Sequence, residues 1–122
     1  MKIIRSSAII LLLVLLFGCM KKTEVGDFNS DKWIADRQAC SGDRAEMVQD
    51  ILEIKENLLG LYQKSIIKVL GKPEGEELYE RSQTYWWYYI DPALDCENAI
   101  EKPRKLTVRF TALGIANEID IQ

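Results

Sequence analysis

An uninterrupted apolar run over residues 8–17, behind the cations Lys2 and Arg5 and ahead of Gly18, most constrains what this chain can fold into. A positive start, a short apolar segment and a small residue beside the cut are the three parts of an export signal. Ten apolar residues fall short of the roughly 20 that a helix needs to cross a bilayer, so a retained spanning anchor is the weaker expectation. The folded unit is therefore sought after residue 18. There 104 residues remain, enough for one domain with one modest core.

The residues closing the run, Leu16-Phe17-Gly18-Cys19, resemble the lipobox of bacterial lipoprotein signals. The resemblance implies cleavage between Gly18 and Cys19, with acyl chains on the Cys19 sulfur and on its new amino group. Each chain adds about 0.8 kcal/mol per buried methylene, so two or three hold a protein on a membrane essentially permanently. Expected boundaries are then a signal peptide over 1–18, a lipidated tether over 19–30 and a domain over 31–122. Met20 is not the Asp that retains some lipoproteins at the inner membrane. The expected location is the outer membrane, facing the periplasm, with the membrane itself a partner through Cys19.

Loss of Lys2 and Arg5 leaves 14 basic against 19 acidic residues, a formal charge of −5. Nucleic acid is not an expected partner, because phosphate binding needs a concentrated basic surface. Of three cysteines, lipidation of Cys19 leaves Cys40 and Cys96, an even pair in an oxidising compartment and candidates for one disulfide. Two unrelated buried thiols are the alternative. The sequence holds no histidine, which removes Ser-His-Asp and Cys-His nucleophile pairs, HExxH zinc sites and the usual neutral-pH proton shuttle. Asp91, Asp95 and Glu97 lie close together but lack the regular spacing of a calcium loop. No catalytic residue, metal site or cofactor is expected.

Ser30 or Asp31 is placed to cap a short helical turn through Trp33, Ile34 and Arg37. Asp43 and Glu46 have capping-box spacing, and Met47, Ile51, Ile54 and Leu58 then recur at helical intervals, predicting one amphipathic helix. A second runs over 62–70, stopped by Gly71 and Pro73, and forms a hairpin with the first. Strands are predicted over 85–90, over 106–110, where Leu106, Val108 and Phe110 alternate with polar residues, and at Ile119 and Ile121 after a turn at Leu113-Gly114. The acids between Glu74 and Glu80 read as a polar connection. The expected architecture is α+β, a two-layer sandwich of two helices on a three-stranded antiparallel sheet in the order ααβββ.

Residues 60–73, GLYQKSIIKVLGKP, resemble the helix-turn signature of the SmpA/OmlA, or BamE-like, lipoprotein domain. Gly60, Ile66, Leu70, Gly71 and Pro73 agree with it in type and spacing, and the aromatic strand follows in the right order. The resemblance implies a non-enzymatic binding or scaffolding module serving outer-membrane protein assembly or envelope integrity, with an envelope protein as partner. A small carrier or inhibitor-like binding protein of the β-lactamase-inhibitor type, or a small histidine-free enzyme, is the alternative.

On a strand, Trp86, Tyr88 and Ile90 point one way and Tyr85, Trp87 and Tyr89 the other. Only one set can pack on the helices. The Tyr85, Trp87 and Tyr89 set either faces outward as a partner-binding surface or is covered by the loop over 91–103.

Overall fold

The computed structural model describes residues 25–122, so Gly18 and Cys19, with the signal and lipidation expectations, lie outside the described residues. Among the described residues, four helices precede four strands: α1 (Ser30–Ala35), α2 (Asp43–Glu46), α3 (Val48–Leu58), α4 (Gln63–Leu70), β1 (Gly75–Tyr79), β2 (Gln83–Tyr89), β3 (Lys105–Phe110) and β4 (Ala116–Ile121). Short 3₁₀ turns occupy Arg37–Ala39 and Glu80–Ser82. The strands form one antiparallel meander in the order β1-β2-β3-β4. The α+β class is as expected, and the count is not: the sheet has a fourth strand where a polar connection was read.

Strand β1 escaped the alternation rule because it is an edge strand that the helices leave uncovered. Glu76 and Leu78 face the helical side in register with Trp86 and Thr84, yet Leu78 is 78% exposed. An edge strand buried on neither face needs no apolar alternation, and charge on it discourages pairing with other chains. Backbone pairing to β2 through the turn at Glu80–Ser82 defines it instead. That turn holds Arg81 and Ser82 in the left-handed region, at φ 60° and 63°, a conformation non-glycine residues adopt at a cost.

The helical layer also departs from the expected pair of helices. The segment expected to run from Asp43 breaks at Met47, whose φ and ψ of −94° and 6° separate α2 from α3. The expected capping box is not what starts α2. Gly42 is its N-cap, in the left-handed region at φ 83°, and Asp36 does the capping: its carboxylate accepts from the backbone N–H groups of Ser41 at 2.7 Å and Arg44 at 3.0 Å. Helix α4 ends at Gly71 as predicted, but packs most closely on α1 rather than forming a hairpin with α3. The turn at Gly60 and the bridge between Tyr62 and Ile115 tie its start to β4.

Between the layers sits one core. Ile51, Ile54 and Leu58 of α3 and Ile66, Val69 and Leu70 of α4 meet Trp86, Tyr88, Leu106, Val108, Phe110 and Ile119 of the sheet. Trp33 is fully buried against Phe28 and Tyr88, with ring centroids 6.0 and 6.5 Å away, and the Arg44 guanidinium lies 4.8 Å from its ring. Val25 and Phe28 belong to this packing, so the packed region begins ahead of the boundary expected at residue 31.

A buried ionic knot joins the helices to the sheet. Arg44 is fully buried; its Nη1 donates to Glu74 Oε1 at 2.5 Å and to the Tyr89 carbonyl at 3.1 Å, and its Nε to the Trp33 carbonyl at 2.9 Å. Glu74 also accepts from the Gln38 N–H at 3.0 Å, which helps hold Gln38 and Ala39 at positive φ beside Cys40. Cys40 is bonded to Cys96 across 56 residues, with 5.3 Å between α-carbons. The disulfide, with Ala93 N–H donating to the Gln38 carbonyl, fastens the loop over 91–103 to the helical layer.

Candidate functional site

The face of the sheet turned away from the helices carries the aromatic set. Register fixes its layout: Tyr85 lies between Glu77 of β1 and Arg109 of β3, Trp87 between Gly75 and Thr107, and Tyr89 beside Lys105. Trp86, Tyr88 and Ile90 are buried on the opposite face, as the period of two requires. Tyr85, Trp87 and Tyr89 are each half-buried.

Trp87 lies across Gly75. A β-carbon at that glycine would stand 1.8 Å from the indole, so only glycine lets the ring lie flat over β1. Lys105 Nζ stands 5.4 Å from the Trp87 ring centre and 5.5 Å from that of Tyr89, within cation–π range of both. Arg109 lies 5.2 Å from the Tyr79 ring and 3.3 Å from Glu118. Gln122 Nε2 donates to the Tyr85 hydroxyl at 3.1 Å. Glu77, Tyr85, Trp87, Lys105, Thr107 and Gln122 surround a shallow depression of about 170 Å³. Aromatic rings interleaved with cations and amides suit contact with another surface, offering apolar area whose polar edges stay hydrogen-bonded.

The structure thus places all three expected partner-contact residues on one face and adds Tyr79, Lys105 and Arg109. Arg109 was legible as an alternate of Leu106, Val108 and Phe110, whereas Lys105 lies one residue ahead of the strand expected over 106–110. Tyr79 was not, because β1 was read as a connection. A second depression of about 240 Å³ lies between α3 and β4, walled by Ile51, Leu52, Leu106, Ile119 and Ile121 with Lys55 and Asp120 at its rim.

Elsewhere, titratable groups serve the fold. Arg104 donates to Asp91 through Nε at 2.7 Å, Nη2 at 2.9 Å and its backbone N–H at 3.0 Å, and the side-chain bonds above all hold that carboxyl below its usual range. Burial first, and the Glu74 charge second, push the Tyr88 phenol well above its ordinary value; its hydroxyl donates to the Gly71 carbonyl at 2.9 Å. Among the described residues, no group of three or more Cys, Asp or Glu side chains is placed to hold a metal, and no helix is long and apolar enough to cross a membrane.

Compared with known proteins, the chain matches no family model, no curated protein and no solved structure.

Proposed function

We propose that this chain is a lipid-anchored envelope protein whose domain works as a non-enzymatic binding or scaffolding module of the SmpA/OmlA type. The observation that carries the reading is the outer sheet face, where four aromatic rings, Tyr79, Tyr85, Trp87 and Tyr89, are interleaved with Lys105, Arg109 and the other polar residues of that face. The Leu16-Phe17-Gly18-Cys19 lipobox, the absence of histidine and the helix-turn signature over 60–73 support it. The space between helices and sheet is filled by the core rather than opened as a polar cleft, which favours a contact surface over an enclosed reaction site. The apolar depression between α3 and β4 is the one feature favouring the alternative, a small ligand carrier.

A photo-crosslinking amino acid at Tyr85 or Trp87, with Leu113 as an exposed control, tests the reading in cells. The expected result is capture of a component of the β-barrel assembly machinery from the two sheet positions and not from Leu113. Capture from all three alike, or of no envelope protein from either sheet position, refutes it.

A further inference from the structure

Strand β4 is an edge that the chain itself has begun to pair. Residues 60–62 run alongside its start: Gly60 N–H donates to the Ala116 carbonyl at 2.8 Å, Ala116 N–H to the Leu61 carbonyl at 2.8 Å, and Tyr62 bridges Ile115. That pairing stops at Ala116. Farther along, Lys105 and Gln122 exchange both backbone bonds, at 2.8 and 2.9 Å. Antiparallel alternation then points the backbone groups of Asp120 and Glu118 toward β3 and turns those of Ile119 and Ile121 outward. Among the described residues, no backbone group bonds to Ile119 or Ile121 from that outer side.

Beside this open stretch lies the apolar depression of about 240 Å³, walled by Ile51 and Leu52 of α3 and by Ile119 and Ile121. Leu52, 47% exposed, is apolar surface left over at its edge. A strand laid along β4 has a period of two, so one set of its side chains meets this hollow and the other stands beside Glu118 and Asp120. The charge around the groove is acidic. Glu53 and Glu56 of α3 are exposed there as well, against only Lys55 and Arg109. Those two cations pair with Asp120 at 3.9 Å and Glu118 at 3.3 Å, in part-exposed contacts that are weak. A second copy pairing through the same edge sets these acids against their own counterparts, which disfavours self-association.

We propose that the β4 edge binds an extended basic peptide, which adds a further strand to the sheet. Its backbone pairs with Ile119 and Ile121, an aliphatic side chain enters the hollow against Leu52, and lysines or arginines lie beside Glu118 and Asp120. Strand addition takes its affinity from main-chain bonds and its selectivity from alternate side chains. Acids on an edge keep most chains away, and the same acids admit a basic one. The contact draws on neither the lipid anchor nor the aromatic face, so it gives the module a second place to hold a partner.

The test follows the backbone amides of the full isotope-labelled chain, held in a neutral detergent, by NMR as a peptide alternating lysine with isoleucine is added. The expected result is saturable binding that shifts Ile119 and Ile121 and slows their hydrogen exchange roughly tenfold. Methylating the peptide nitrogens that face β4 should abolish that protection. Replacing the peptide lysines by glutamate should weaken binding roughly tenfold, and Leu52→Ser, at an exposed position that leaves the fold intact, should weaken it too. Binding that survives methylation, shifts confined to Trp87 and its neighbours, or no saturable binding overturns strand addition. Protection of Ile119 and Ile121 that rises with protein concentration in the absence of peptide overturns the peptide in favour of a second copy.

Discussion

Gly75 and Arg44 show how much single side chains decide here. Gly75 has no special backbone angle; what it provides is the space that the Trp87 ring fills. Gly75→Ala is therefore expected to push the indole off β1 at a cost of about 1–3 kcal/mol, read as a lowered denaturation midpoint and a changed Trp87 environment in NMR. Arg44 ties α2 to α1 at Trp33, to β2 at Tyr89 and to Glu74 just ahead of β1, and its backbone N–H donates to Asp36. Arg44→Ala leaves Glu74 charged and buried, with an expected loss of about 3–5 kcal/mol by chemical denaturation. Arg44 Nη2 and Glu74 Oε2 have no partner among the described residues, so the pair is incompletely compensated. Replacing both with apolar residues of similar volume should then cost markedly less than Arg44→Ala alone.

At the scale of elements, the long loop over 91–103 is pinned in its middle by the disulfide at Cys96 and closed across its ends by the Asp91–Arg104 pair. Leu94 within it is 82% exposed. One hold is the disulfide: replacing Cys40 and Cys96 by Ser should lower stability by roughly 4 kcal/mol in the chain-entropy model for a loop of 56 residues, measured against the oxidised protein. The other is the Asp91–Arg104 pair. Because Asp91 has its folded pKa depressed, its contribution is present above the unfolded carboxyl value of about 3.9 and is lost as pH falls through the lower folded value. An NMR titration should find Asp91 ionising below ordinary aspartates, and Asp91→Asn should weaken the fall in stability between about pH 4 and pH 2. The partner is exposed, so the effect is small. Strand β1 and the start of α2 belong to this scale too: the first is made by pairing to β2, the second by Asp36, seven residues before the helix's first residue.

For the whole molecule, the helical layer closes the core over one face of the sheet and leaves the aromatic face for the proposed contact. The sequence by itself determined the class of fold and most of its elements. Local signals sufficed there: the 3.6-residue period through Ile51, Ile54 and Leu58, the stop at Gly71-Pro73, and the period of two that separates Trp86 and Tyr88 from Tyr85 and Trp87. Cysteine arithmetic likewise singled out Cys40 and Cys96, which the structure joins. Only the tertiary structure decided the fourth strand, the replacement of the expected Asp43 box by Asp36, the Arg44–Glu74 knot and the bed that Gly75 makes for Trp87. Each depends on residues far apart in sequence, or on cross-strand register, meeting through the chain's closure. Periodicity reports which face of an element is apolar; it carries no information on which distant backbone or charge completes that element.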